Sequence, residues 1–120
     1  MKAEKSEKQS WGRRFHAERV ELLQNRDARG IAAAYAADAV LISFQAIVAG
    51  RDNLERYFAD YLSGGAADFG DARIDNYVET EDTVFWEVIA TDADGAEHRF
   101  YDAFTFRNGE IKRHFTGAIN

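Results

Sequence analysis

The feature that most constrains the fold of this chain is an Asn108-Gly109 pair set between two segments of alternating side chains, residues 98–107 and 110–117. An Asn-Gly pair between such segments is typical of a type I′ hairpin, in which both central residues take a positive φ. The pattern therefore predicts an antiparallel hairpin that starts by pairing Arg107 with Glu110.

The first strand of this hairpin carries a single acid on an aromatic face. Successive side chains of a strand point to opposite faces, so Asp102 shares its face with His98, Phe100, Phe104 and Phe106. The same register pairs Asp102 with Phe115 and Phe104 with Arg113, which places Arg113 diagonal to the acid. A carboxylate in an apolar wall has to be paired, hydrogen-bonded or protonated. Two interpretations are open: an acid/base site built on Asp102, or a structural ion pair between Asp102 and Arg113.

Glu87 is a second candidate catalytic residue. Asp94-Gly95 predicts another hairpin, between a strand at residues 84–91 and the strand that carries Asp102. A two-residue loop pairs Glu87 with Asp102, and a four-residue loop keeps them on the same face. Two carboxylates in one apolar wall push one pKa upward, which gives an acid and a base in one pocket. A bulge would instead turn Glu87 to solvent.

His98 is the third candidate catalytic residue. It lies four positions from Asp102 on the same strand face, roughly 13 Å away at the standard rise per residue, so the two cannot form a direct dyad. The imidazole fits a general base at the mouth of a pocket or a partly exposed strand histidine. The three histidines of the chain are scattered, and their spacing predicts no metal site.

The rest of the chain predicts helices followed by a meander of strands. Residues 1–10 predict a solvated lead-in, and residues 11–120 predict one domain. Helical spacing begins at Trp11 and is clearest in residues 51–63, while a short second helix should reach Tyr35. Strands are expected at residues 39–44, 72–79 and 84–91. This order favours an α+β fold, with helices packed on one side of a curved antiparallel sheet.

Several side chains should line a pocket between the two layers. The alternative is a plain core, which is the more common reason for an aromatic stripe at helical spacing. The candidate ligand-binding residues are Tyr35, Phe44, Tyr57, Tyr61, Phe100, Phe104, Arg113 and Phe115.

The composition narrows the function classes. A net charge of -6 argues against binding to nucleic acids or anionic membranes, so a small apolar ligand is expected. The absence of cysteine excludes thiol catalysis and disulfides. No apolar run approaches the length of a membrane span, and the expected location is the cytoplasm.

Three segments carry a resemblance to a known superfamily: GIAAAYAADAVL at residues 30–41, GRDNLERYF at residues 50–58 and YDAFTFRNGEIKRHF at residues 101–115. In them the chain resembles the nuclear transport factor 2-like proteins, which include ketosteroid isomerases and SnoaL-like polyketide cyclases. The resemblance implies a cystatin-like cone and an isomerase, cyclase or dehydratase that needs no cofactor. The alternative is a non-catalytic ligand-binding or dimerisation module of the same fold.

The resemblance carries over to individual residues only in part. Asp102 matches the acid that, in the isomerases, donates a hydrogen bond to a developing oxyanion. Ser43 falls where those enzymes have their general base, and Arg19 falls where they have an oxyanion tyrosine. These departures argue against steroid isomerisation by that mechanism. Glu87 or His98 would then act as the base, with Arg113 setting their charge.

The sheet face opposite Asp102 is predicted to be apolar. Such a face is poorly suited to water, and members of the resembled superfamily commonly dimerise through it, so we expect a homodimer. The residues assigned to this face are Val84, Trp86, Val88, Tyr101, Ala103 and His114.

Overall fold

The structure is a computed structural model that describes residues 9–64 and 71–119. The predicted lead-in at residues 1–10 lies mostly outside these ranges. The helices are α1 (Trp11–Gln24), α2 (Ala28–Ala33) and α3 (Arg51–Ser63). The strands are β1 (Tyr35–Ile42), β2 (Ile47–Ala49), β3 (Asp71–Glu79), β4 (Thr83–Thr91), β5 (Glu97–Arg107) and β6 (Glu110–Ile119).

The strands form one open, curved sheet with the order β2-β1-β6-β5-β4-β3, and the helices cover its inner face. Neighbouring strands are antiparallel except β1 and β6, which run parallel. The predicted α+β architecture is confirmed. Among the described residues, no helix combines the length and the apolar character needed to cross a membrane.

Local chemistry sets the helix boundaries. The Ser10 hydroxyl accepts the Arg13 N–H at the start of α1, and α3 runs to Ser63, with Gly64 following it. Leu54, Phe58 and Leu62 of α3 recur every four residues and are buried, so this helix holds its apolar stripe against the core.

The second helix is shorter than its sequence pattern indicates. It ends at Ala33, and Tyr35 already belongs to β1. The Ala34 carbonyl accepts the Ile111 N–H at 3.0 Å, which starts the pairing of β1 with β6 directly after the helix. Pairing in the sheet therefore overrides the local helix propensity of these residues.

The turn between β5 and β6 forms as predicted, but the register changes beyond it. Asn108 and Gly109 have φ values of 55° and 81°, and Arg107 pairs with Glu110. Lys112 is then an extra residue: Phe106 pairs with Ile111, whereas Thr105 pairs with Arg113. This bulge turns every later side chain of β6 over.

The bulge overturns the predicted pairing of Phe104 with Arg113. Phe104 pairs with His114 instead, and Asp102 pairs with Thr116. Ile111 and His114 can both point inward because Lys112 interrupts the alternation, and they are 0% and 1% exposed. The strand thereby buries an imidazole and keeps the Arg113 guanidinium off the inner face, where burial of an unpaired charge is costly.

The turn between β4 and β5 changes the partner of Asp102. Thr91 pairs with Glu97 across a five-residue loop, so Trp86 faces Asp102 and Glu87 faces Tyr101. The Asp92 carboxylate closes the loop by accepting the backbone N–H groups of Asp94 and Ala96. An odd number of loop residues reverses the faces that a two- or four-residue loop would give.

Candidate functional site

A cavity of about 420 Å³ lies between the helices and the inner face of the sheet. This volume is within the usual range for small-molecule sites. Its walls are largely aromatic and aliphatic, with a few polar groups from α1, β3, β5 and β6. The polar groups that matter for chemistry are His16, Arg19, Asp102, His114 and Thr116.

The carboxylate of Asp102 is held on both oxygens. Its Oδ1 lies 2.7 Å from His114 Nε2, and its Oδ2 accepts the indole N–H of Trp86 at 3.1 Å. The side chain keeps 20% of its surface accessible, and Asp102 lines the cavity. The carboxylate is therefore fixed in orientation while still open to a molecule in the cavity.

His114 links Asp102 to a buried phenol. Its Nδ1 lies 2.8 Å from the hydroxyl of Tyr35, and its ring stacks on Phe104 with centroids 4.0 Å apart. An ionised carboxylate only accepts hydrogen bonds, so Nε2 carries the imidazole proton and Nδ1 accepts from the Tyr35 hydroxyl. This assignment satisfies the polar atoms of all three side chains.

The protonation states of Asp102, His114 and Tyr35 follow from their burial and from the groups around them. Burial would raise the pKa of Asp102, but the hydrogen bond from His114 and the charge of Arg19 hold this pKa below its ordinary value. Burial lowers the pKa of His114, although Asp102 opposes the shift. Burial raises the pKa of Tyr35 to about 12. At neutral pH the site is an ionised carboxylate beside a neutral imidazole.

Helix α1 adds two polar side chains that lie three residues apart and so share one helix face. Arg19 is 7% exposed, and its guanidinium carbon lies 4.9 Å from the ring centroid of Phe104. His16 meets Trp86 edge to face at 4.6 Å. Burial and the nearby Arg13 lower the pKa of His16, so its imidazole is neutral at neutral pH.

Six of the eleven predicted site residues lie at the cavity or against its wall. Asp102, Tyr57, Tyr61 and Phe100 line the cavity. Tyr35 and Phe104 are fully buried beside it, where both contact His114.

Two predicted catalytic residues lie elsewhere. Glu87 is on the outer sheet face, where it accepts hydrogen bonds from Asn76 at 2.8 Å and Arg99 at 3.2 Å. Because the β4–β5 loop has five residues, Glu87 and Asp102 lie on opposite faces of the sheet, and they cannot form a carboxylate pair. His98 stays near the β4–β5 turn, 2.7 Å from the Asp92 carboxylate, and it does not line the cavity.

Three predicted ligand-binding residues are also outside the cavity. The bulge at Lys112 turns Arg113 and Phe115 to the outer face, and Phe115 is 38% exposed. The proposed Asp102–Arg113 ion pair is therefore wrong. Phe44 lies at the turn after β1 and is 92% exposed, because the strand ends at Ile42.

The predicted dimer face also needs correction. Trp86, Val88 and His114 line the cavity, and Val84 is buried opposite Phe104. Tyr101 and Ala103 lie on the outer face as predicted, and they share it with Glu87, Arg113 and Phe115, as the pairings of β4, β5 and β6 require.

The residues that sequence reasoning missed are His114, Trp86 and His16, while Arg19 was noted only as a mismatch. The spacing of His16 and Arg19 on α1 was a usable signal, since both share one helix face. No pattern in the sequence predicted the bulge that turns His114 inward. Ser43, at the position matched to a general base, caps the β1–β2 turn by accepting the Ala46 N–H at 3.1 Å.

Within residues 9–64 and 71–119, no three histidine or acidic side chains converge as metal ligands. The polar groups of the cavity suit hydrogen bonding and proton transfer, since they combine one ionised carboxylate, two neutral imidazoles and the guanidinium of Arg19. A second arginine, Arg73, also lines the cavity, and its guanidinium pairs with Glu97.

Solved structures with the same fold come from several bacteria. A protein from Sphaerobacter thermophilus aligns over 88% of this chain and 93% of its own, with 18% identity and a TM-score of 0.72. An NTF2-like protein of unknown function from Cytophaga hutchinsonii aligns over 92% of each chain, with 11% identity and a TM-score of 0.69. At these identities the likeness concerns the fold alone.

A third structure is described as a putative polyketide cyclase from Sinorhizobium meliloti. It aligns over 82% of this chain and 88% of its own, with 17% identity and a TM-score of 0.63. No curated protein matches the chain. The model of the SnoaL-like domain matches residues 16–114, a span that includes every polar cavity residue described above except Thr116. By that match, the chain belongs to the SnoaL-like domain family.

Proposed function

We propose that this protein is an enzyme that moves a proton on a small hydrophobic carbonyl compound without a cofactor, with Asp102 as the general base. The observation that carries the proposal is a carboxylate that is open to a largely apolar cavity and held by His114 and Trp86. This role differs from the protonated hydrogen-bond donor that the family resemblance implied.

The geometry suits a base. Each oxygen of Asp102 accepts one described N–H hydrogen bond from a neighbouring side chain, which leaves lone pairs free to take a proton from a ligand. His114 and Trp86 hold the carboxylate in one orientation before a ligand enters. A positioned general base contributes on the order of 10²- to 10⁴-fold to a proton-transfer rate.

Tyr35 and His114 act as positioning residues in this scheme. The Tyr35 hydroxyl fixes the tautomer of His114, and His114 then donates to Asp102 through Nε2. Both side chains are buried, so water does not compete for these hydrogen bonds.

The first experiment measures α-proton exchange, which reports proton abstraction whatever reaction follows. A panel of aryl ketones and 1,3-dicarbonyl compounds is incubated with the protein in D₂O, and deuterium uptake is followed by mass spectrometry. We expect catalysed uptake for at least one compound class, and a loss of about 10²- to 10⁴-fold in Asp102→Asn.

The matched control is Asp75→Asn. Asp75 is an acid that pairs with Arg99 outside the cavity, and this variant should keep the wild-type exchange rate. Unchanged exchange in Asp102→Asn would remove the proposed base. Binding of the compounds without any exchange would support the alternative, a non-catalytic ligand-binding module.

We also propose that the protein forms a homodimer through the outer sheet face. Tyr101 and Phe115 are only partly covered there, and Arg99 lies among Asp75 and Glu87, a mixture of charges that can complement itself across a two-fold axis. Tyr101→Glu should then shift the mass measured by light scattering from dimer to monomer. A wild-type monomer at micromolar concentration would contradict this proposal.

A further inference from the structure

A second cavity, of about 460 Å³, lies at the beginning of helix α1. It is formed where the first two turns of α1 meet the β3–β4 turn and the Asn108-Gly109 turn between β5 and β6. It shares no lining residue with the cavity at Asp102. Its volume is within the usual range for small-molecule sites, so it is large enough to hold a ligand of its own.

Three aromatic side chains form the floor of this second cavity. The ring of Phe106 lies nearly perpendicular to those of Trp11 and Phe15, with centroids 5.0 and 5.1 Å away. All three residues line the cavity and are only half-buried, so part of each ring remains open to a ligand. The face of an aromatic ring carries partial negative charge and attracts cations, most strongly in tryptophan.

Carboxylates outnumber cations around this floor. Glu18, Glu81 and Asp82 line the second cavity, and Arg14 is the only basic residue among its described lining residues. Within residues 9–64 and 71–119, none of the three carboxylates forms an ion pair. The Arg14 guanidinium donates instead to the backbone carbonyl of Gln9. The second cavity therefore presents negative charge to a ligand, in a chain whose net charge is -6.

Hydrogen bonds hold the floor and the β3–β4 turn together. The indole N–H of Trp11 donates to the Thr80 carbonyl at 3.2 Å, and the backbone N–H of Phe106 donates to the Asp82 carbonyl at 2.8 Å. The Asp82 carboxylate also accepts the hydroxyl of Thr83 at 3.1 Å. These contacts join α1 and β5 to the turn before a ligand enters, so little conformational freedom is lost on binding.

We propose that the second cavity binds a trimethylammonium group, with its methyl groups on the aromatic floor and its charge balanced by the carboxylates. A neutral apolar ligand would leave the carboxylates unused, and an anion would be repelled by them. A primary ammonium ion is strongly hydrated, whereas a quaternary ammonium ion presents methyl groups that suit aromatic faces. This inference does not depend on the reaction proposed at Asp102.

The test uses the two tryptophans of the chain as separate reporters. Trp11 lines the second cavity and Trp86 lines the first, so their two indole N–H signals in a proton–nitrogen NMR spectrum distinguish the cavities. Trp11→Phe assigns the signals. The probes are choline and its neutral analogue 3,3-dimethylbutan-1-ol, in which carbon replaces the charged nitrogen. We expect a saturable shift of the Trp11 signal with choline, and about fivefold or more weaker binding of the alcohol.

A short peptide with one trimethyl-lysine carries the same group on a protein side chain. Its dissociation constant, measured with the same Trp11 signal, is compared with that of choline. Tighter binding of either probe supports the inference and identifies whether the group belongs to a free molecule or to a modified side chain.

Variants separate the charges from the aromatic floor. Glu18→Gln/Glu81→Gln should weaken choline binding by about threefold or more, because two carboxylates lose their charge. The matched control is Glu21→Gln/Glu55→Gln, which removes the same charge away from the second cavity and should keep the wild-type affinity. Phe106→Leu should weaken binding of choline more than that of the alcohol, since an apolar side chain remains but the ring face is lost. Circular dichroism identifies any variant that is not folded, and the two charge variants decide the test if Phe106→Leu is lost.

Three results would overturn the inference. The first is equal affinity for choline and its neutral analogue, which would show that the charge is not recognised. The second is a shift confined to the Trp86 signal, or no saturable shift of the Trp11 signal at millimolar choline. The third is an equal loss of affinity in the two double variants, which would assign the effect to the net charge of the protein.

Discussion

Two carboxylates on neighbouring strands, Asp102 on the inner face and Glu87 on the outer face, meet very different surroundings. Asp102 is held by His114 and by the indole of Trp86 beside a cavity. Glu87 takes part in a surface network with Arg99 and Asn76.

The contrast shows that the partners of a carboxylate decide what it can do. Glu87 is paired with a guanidinium and lies on the outer face, away from the cavity. Neutral N–H donors orient Asp102 without neutralising its charge. Only the inner carboxylate combines ionisation, fixed orientation and access to a small molecule.

The largest expected difference between the two faces is in packing. Phe104 is fully buried, and it contacts Phe15 as well as the ring of His114. Phe104→Ala should lower the free energy of unfolding by about 3–5 kcal/mol, whereas Phe115→Ala on the outer face should cost less than about 1 kcal/mol. Chemical denaturation in the Tyr101→Glu background, which is expected to be monomeric, measures both, and equal costs would contradict the assigned faces.

The second prediction concerns the hydrogen bonds of the inner face. His114→Gln should lower the free energy of unfolding by about 1–3 kcal/mol, because Tyr35 and Asp102 lose a buried partner. The matched control is Arg113→Gln, one residue away on the outer face, which should cost less than about 1 kcal/mol. A larger loss of stability in the Arg113 variant would instead support the register without a bulge, in which Arg113 faces inward.

The third prediction uses pH. The pKa of His114 is lower in the folded protein than in the unfolded chain, so the unfolded chain binds a proton first as the pH falls below about 6.5, and stability decreases. The pKa of His16 is also lowered, so this residue adds to the same loss of stability as the pH falls. The lowered pKa of Asp102 extends the loss of stability below about pH 4.

Denaturation curves between pH 7 and pH 5 test this slope. His114→Gln and His16→Gln should each make it shallower, and the double variant should be the least sensitive to pH. Stability that rises on acidification, or a slope unchanged in all three variants, would contradict the assignment of neutral imidazoles.

The smallest expected effect is at Glu87. Glu87→Gln should leave deuterium uptake at the wild-type rate and change the free energy of unfolding by no more than about 1 kcal/mol, because its partners are at the surface. A loss of uptake comparable to that in Asp102→Asn would mean that the two carboxylates act together after all.

The fold was largely readable from the sequence because its signals are local. Alternation, the Asn108-Gly109 turn and the apolar stripe of α3 each depend on residues a few positions apart. The site was less readable, because it depends on how many residues each turn and bulge contain. Asp102 was found from its aromatic neighbours, but a five-residue loop and the extra Lys112 decided which side chains join it.

The bulge at Lys112 makes the chemistry of the cavity sensitive to chain length in one strand. Deleting that residue would restore simple alternation and exchange the side chains on the two sides of β6, so that a guanidinium faces Phe104 in place of an imidazole. Among relatives of this chain, a one-residue gap at this point is therefore worth more attention than many substitutions, since it changes which side chains of β6 line the cavity.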